Sequence, residues 1–102
     1  MIEFPRQVRG DTVRLAVGGV RFIAAGEITV RGVFRAGRQY IDLTVPGLDP
    51  QERRTLEKAA SAEKQAGLLY WVFREGNIVY EVSLVARGTH RTLEGLVISG
   101  SP

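Results

Sequence analysis

The stretch Ile28-Thr29-Val30-Arg31-Gly32-Val33-Phe34-Arg35-Ala36-Gly37-Arg38-Gln39-Tyr40-Ile41-Asp42-Leu43-Thr44-Val45 alternates apolar and polar residues on both sides of Ala36-Gly37. A period of two sends successive side chains to opposite faces of a strand, and a Gly in a two-residue link supplies the positive φ that a tight hairpin turn needs. The segment reads as a β-hairpin. In its first arm Ile28, Val30, Gly32 and Phe34 share one face, while Thr29, Arg31, Val33 and Arg35 share the other. In its second arm Ile41, Leu43 and Val45 oppose Tyr40, Asp42 and Thr44.

The same grammar extends toward the N-terminus. Thr12 to Val17 puts Val13, Leu15 and Val17 on one face, Gly18-Gly19 offers a second hairpin turn, and Val20 to Ala24 follows as its return strand. Toward the C-terminus Pro46-Gly47 ends the central hairpin and the signals change to those of a helix. Asp49 is a strong N-cap, Pro50 suits the first helical position, and Glu52 stands three residues after Asp49, where it can close a capping box. The spacing predicts a helix over 50–66 with Gly67 as its stop. Leu56 is its one large apolar residue, with Ala59, Ala60 and Ala66 completing a thin stripe, so its buried area is small.

Strands resume at Leu68 to Phe73, whose unbroken apolar run predicts burial on both faces, with Tyr70, Trp71 and Phe73 in the core. Glu75-Gly76-Asn77 turns the chain into Ile78 to Arg87, a loop is expected at Gly88-Thr89-His90, and a last strand spans about Thr92 to Ser99. Val33 to Arg38 resembles Val72 to Asn77, 39 residues later, which reads as two hairpins of one turn type. The fold class is therefore α+β and β-rich. We expect a curved antiparallel sheet or small open β-barrel of about seven strands, with one helix (about 50–66) inserted between strands four and five. A helix among strands is compatible with an oligonucleotide-binding barrel, an analogy of pattern that says nothing of function.

All 102 residues form one domain, 44% apolar and without Cys. A chain of this size buries roughly 60–70% of the surface its unfolded form exposes, enough for one core and too little for two. The missing Cys removes disulfides, thiolate metal sites and cysteine nucleophiles. The acid and proline in Met1 to Arg6 do not suit a signal peptide, and the longest apolar run, Leu68 to Phe73, falls far short of the roughly 18 residues of a membrane span. A cytoplasmic protein with no membrane partner is expected.

No catalytic set emerges. His90 is the single histidine, which with no second ligand at metal spacing argues against a metal site, and no Ser or Thr stands in a nucleophile setting. Asp42 and Glu81 occupy similar places in the two echoing hairpins, yet they read as carboxylates answering nearby Arg residues rather than as an acid–base pair. The glycines mark turns and a helix stop, not a phosphate-binding loop, and no cofactor is implied.

The remaining signal is basic. Of 14 basic residues 12 are Arg, against 11 acids, for a net charge of +3. Arginine offers a planar fork of donors that suits phosphate and carboxylate, although a codon bias toward Arg would leave the same trace. Arg14, Arg21, Arg31 and Arg35 are expected opposite the apolar faces of their strands with Tyr40 and Thr29 among them, and Arg87, His90 and Arg91 flank the 87–91 loop. The six arginines, Tyr40 and His90 form a candidate nucleic-acid-binding surface of eight residues, in which guanidinium groups track phosphates and an aromatic ring stacks on a base. The expectation is a non-enzymatic binding module for an anionic partner, most concretely nucleic acid. The alternative is a protein–protein assembly or inhibitory module, working with a protein partner or as a homo-oligomer through sheet edges and apolar faces.

Overall fold

The computed structural model describes residues 6–8, 14–17, 20–23, 27–61 and 68–101, with the backbone alone for 6–8, 14–17, 22–23, 68–71 and 73–75. Strands β1 (Arg6–Val8), β2 (Arg14–Val17), β3 (Val20–Ile23), β4 (Ile28–Arg35) and β5 (Arg38–Val45) precede helix α1 (Pro50–Ala60). Strands β6 (Leu68–Glu75), β7 (Ile78–Arg91) and β8 (Leu96–Ser101) follow it. All pair antiparallel in one open sheet of order β1-β4-β5-β8-β7-β6-β2-β3. The chain is thus β-rich α+β, and the described sheet has eight strands rather than seven, because Arg6–Val8 pairs with Ile28–Val30.

Alternation in β4, β5 and β8 builds the core. Ile28, Val30, Leu43, Val45, Leu96 and Ile98 lie on one face, here called inner, and are all but fully buried. Leu84 of β7 joins them, as do Leu56, Ala59 and Ala60 of the helix. Val20 packs against the same cluster from β3, at the far edge of the sheet, so the sheet curves around the helix rather than lying flat.

Two primed turns set the hairpins. Ala36 (φ 51°) and Gly37 (φ 75°) are both left-handed, the sign pattern of a type I′ turn, whereas in the β6–β7 turn Gly76 (φ 60°) alone is, the pattern of type II′. The two echoing hairpins are therefore not of one turn type. The helix starts as its residues dictate: Glu52 N–H donates to Asp49 Oδ1 at 2.8 Å, and Asp49 N–H to Glu52 Oε1 at 3.1 Å, with Pro50 in the first turn. It ends earlier than 66, since Ser61 is the C-cap, its N–H and hydroxyl both donating to the Glu57 carbonyl. A hydroxyl that satisfies a terminal carbonyl competes with continuation of the helix. Residues 62–66, the Gly67 stop and the Gly18-Gly19 turn lie outside the described residues, as do the side chains of Tyr70, Trp71 and Phe73.

The C-terminal hairpin also departs from expectation. Gly88-Thr89-His90 is not a loop, because β7 continues through it to Arg91, with an irregularity between Ala86 and Gly88 that lets two residues oppose Ser99. Such a bulge leaves the pairing intact while admitting one extra residue, and Gly88 takes the φ of 155° found there. The turn comes later, at Thr92–Gly95, where Thr92 N–H donates to the Gly95 carbonyl at 2.9 Å and Thr92 Oγ1 accepts from the Glu94 and Gly95 amides. Glycine is needed at Gly95, since a Cβ there would collide with the Val45 carbonyl oxygen.

Candidate functional site

The face of β4, β5 and β8 opposite the core is polar. Pairing aligns Arg31 with Asp42 across β4 and β5, and Asp42 with Ser99 across β5 and β8. Asp42 and Ser99 are buried on this outer face, and the charge that faces them is Arg35. Its guanidinium grips the carboxylate with both amino groups, Nη2 to Oδ2 at 2.5 Å and Nη1 to Oδ1 at 3.2 Å. Ser99 Oγ donates to Asp42 Oδ1 at 2.7 Å and accepts from Arg35 Nη1 at 3.4 Å. A buried carboxylate is tolerable only when its lone pairs are filled, and here two residues fill them from opposite sides.

Burial by itself pushes the Asp42 carboxyl up, but the hydrogen bonds from Arg35 and Ser99, aided by the charges of Arg35 and His90, outweigh it and hold the group below its ordinary value. The same hydrogen bond, donated to Asp42, raises Arg35 above its already high value. Arg35 also lies over the Tyr40 ring, its guanidinium carbon 5.7 Å from the centroid, within cation–π range.

This cluster floors a groove of about 500 Å³ lined by Thr29, Arg31, Val33, Arg35, Asp42 and Thr44 from the central hairpin, and by His90, Val97 and the Thr92–Glu94 turn. Arg31 and His90 are exposed within it. Among the described residues Arg31 forms no ion pair, although its cross-strand neighbour is a carboxylate, because Arg35 has taken Asp42. Arg38 is exposed and stands directly opposite Arg35 across the hairpin, a like-charge pairing that costs stability and concentrates positive potential at the mouth of the groove.

Of the eight residues expected to form one surface, Arg31, Arg35, Tyr40 and His90 come together here. Arg87 stays nearby at the bulge, where its Nε donates to Ser101 Oγ at 2.7 Å. Arg91 does not belong to the group. It aligns with Leu96 on the inner side, where Nη2 and Nε bond the Glu57 carboxylate at 2.8 and 3.1 Å and fasten α1 to β7. That pair holds Glu57 below and Arg91 above their ordinary values, each mainly through the hydrogen bonding that Arg91 donates to Glu57. Arg21 is exposed on β3, six strands away from β4 in sheet order. Arg14 belongs to β2, and its side chain lies outside the described residues.

Sequence reasoning placed Thr29 among the arginines but missed Ser99, Thr44 and Thr92. The signal for Thr44 was its period-two place beside Asp42. Ser99 had no local signal, because it meets Asp42 from 57 residues away. Asp42 and Glu81 are not neighbours: Asp42 shares a row with Ser99 and Gly88, and Glu81 stands seven residues down β7 from Gly88. Among the described residues no cluster of three or more carboxylate or imidazole groups could hold a metal ion, and no helix is long and apolar enough to cross a membrane. No family model, curated protein or solved structure matches this chain.

Proposed function

We propose that this chain is a non-catalytic module that binds an anionic partner in the outer-face groove, and that the partner is single-stranded nucleic acid. The observation that carries the reading is the division of labour between two arginines on one strand. Arg35 is neutralised by Asp42 and shapes the groove, whereas Arg31, four residues earlier on the same face, keeps an unpaired guanidinium open to solvent. An exposed arginine fork beside His90 and the hydroxyls of Thr29 and Thr44 is a donor-rich setting for phosphate oxygens. Arg38 extends the positive potential along the hairpin, and Tyr40, whose ring lies under Arg35, is the aromatic side chain beside it for a base to contact. A shallow groove on a sheet suits an extended strand, since duplex readers insert a helix or ribbon into the duplex instead.

The test is fluorescence anisotropy of a labelled single-stranded oligonucleotide. Three phosphate contacts predict an affinity loss of about 20-fold between about 50 and 200 mM salt. Arg31→Gln is expected to weaken binding and shallow that slope by the share of one phosphate, while Arg21→Gln, on the remote edge, leaves both unchanged. Absence of saturable binding at the lower salt, or equal losses in the two variants, overturns the reading.

A further inference from the structure

The groove has a second wall. Across from β4 it is closed by the β7–β8 turn, whose residues Thr92, Leu93 and Glu94 all line it. The turn is fixed by its own hydrogen bonds: Thr92 Oγ1 donates to the Gly95 carbonyl at 3.1 Å while accepting from the Glu94 and Gly95 amides, and the Gly95 amide also donates to the Thr92 carbonyl at 3.3 Å. Gly95 seats the loop directly against β5, since its backbone leaves no space for a Cβ beside the Val45 carbonyl. What this fixed turn presents is unlike the rest of the groove. Leu93 is fully exposed at its tip (108%), and Glu94 brings an exposed carboxylate to a groove whose opposite wall carries the exposed guanidinium of Arg31. From β4 to β8 is two strand spacings, about 10 Å, so Arg31 and the turn stand at opposite ends of whatever occupies the groove. The floor between them includes the buried, apolar Val97.

We propose that this turn reads a base of the bound strand and that Glu94 selects guanine, an inference that rests on the single-strand reading above. A carboxylate repels phosphate, so the part of the ligand that comes to Glu94 is a neutral group carrying N–H donors. An ionised carboxylate accepts through two oxygens and donates nothing. Among the bases, guanine alone sets two adjacent donors on its pairing edge, the N1–H and the N2 amino group, and these match the two carboxylate oxygens. Adenine and cytosine place a ring-nitrogen lone pair beside their amino group, and thymine and uracil flank one N–H with two carbonyls, so each of them turns an acceptor on a carboxylate oxygen. Leu93 supplies apolar surface that a base face covers, removing both from water. The two ends of the groove then do different work: Arg31 holds the phosphate of any strand, and the turn discriminates among bases.

The probes are labelled thymidine pentanucleotides that differ only at the central base, which is guanine, hypoxanthine, adenine, cytosine or thymine, compared by fluorescence anisotropy with the full chain at about 50 mM salt. The guanine oligonucleotide is expected to bind about five- to ten-fold tighter than the thymine one, the lower part of the range for a two-bond base contact because the groove is open to water. Hypoxanthine, which keeps the N1–H and lacks the amino group, falls between them. Glu94→Gln replaces one accepting oxygen by a donor, and is expected to bring guanine to within about two-fold of thymine while the thymine oligonucleotide binds as before or slightly tighter. Leu93→Ser weakens the guanine oligonucleotide about two- to three-fold and leaves unchanged a counterpart with an abasic central position. Both side chains are exposed, so neither substitution disturbs the core. Equal affinity for all the bases, or a guanine preference that survives Glu94→Gln, overturns the proposal. If binding in that case still weakens with salt and with Arg31→Gln, the single-strand reading stands without base selection, whereas absence of binding to every oligonucleotide removes both.

Discussion

The two faces of β4, β5 and β8 are built from alternate residues of the same strands and solve different problems. The inner face is uniform: Ile28, Val30, Leu43, Val45, Leu96 and Ile98 are all within 1% of complete burial, and the interaction that buries them has no direction. The outer face buries Val97 together with an aspartate and two serines, and Asp42 is stable there only because one arginine and one hydroxyl meet it at defined distances. An apolar surface can be satisfied by any neighbour of fitting shape. A buried carboxylate needs particular partners, and supplying them ties up Arg35 and leaves Arg31 free.

The contrast can be broken by substitution. Leu43→Ala, at a fully buried position, is expected to cost about 3 kcal/mol, read as a lowered urea midpoint with little change of slope. Asp42→Asn, its neighbour on the opposite face, is expected to cost less, about 1–2 kcal/mol, because Arg35 retains access to solvent once its partner loses charge. An equal loss in both variants would mean that the outer cluster is part of the core rather than a separate polar layer.

The pH dependence sharpens the same comparison. The Asp42 carboxyl is held below its ordinary value in the folded state, so the unfolded chain takes up the proton first as pH falls. Its contribution is fully present above the ordinary aspartate range of about pH 4 and is lost as pH drops through the depressed folded value. Urea midpoints measured between about pH 2 and 6 should fall toward acid in the native chain and fall less in Asp42→Asn, whereas Leu43→Ala should keep the native slope. The smallest effect belongs to Glu57→Gln. Its ion pair with Arg91 is open to solvent and screened, so stability should change little at physiological salt, and what change there is should vanish at high salt.

The β-rich class and the antiparallel pairing were legible because they rest on short-range signals. Period two in 28–45 is enough to sort side chains between faces, and Asp49-Pro50-Gln51-Glu52 carries its own cap whatever surrounds it. Of the site, Arg31, Arg35 and Tyr40 could be placed together from one hairpin alone. The 87–91 segment misled for an equally physical reason. Glycine beside polar residues is the composition of a loop, and only pairing with Val97 and Ser99 shows that the chain passes through Gly88 as a bulged strand, sending His90 to the groove and Arg91 to the helix. A single inserted residue exchanges the two faces, and no local pattern reveals whether a bulge absorbs it.

By itself, then, the sequence determined which residues form strands around the central hairpin, which faces they present, and where the helix begins, since each depends on neighbours within a few residues. Tertiary structure decided what stands beside what. Placing β8 between β5 and β7 put Ser99 against Asp42 and gave Arg35, already paired with Asp42 within its own hairpin, a hydroxyl from 64 residues away. Strand order and register arise from contacts between distant segments, whose free energy depends on which surfaces meet, and alternation along a single strand carries no record of that choice.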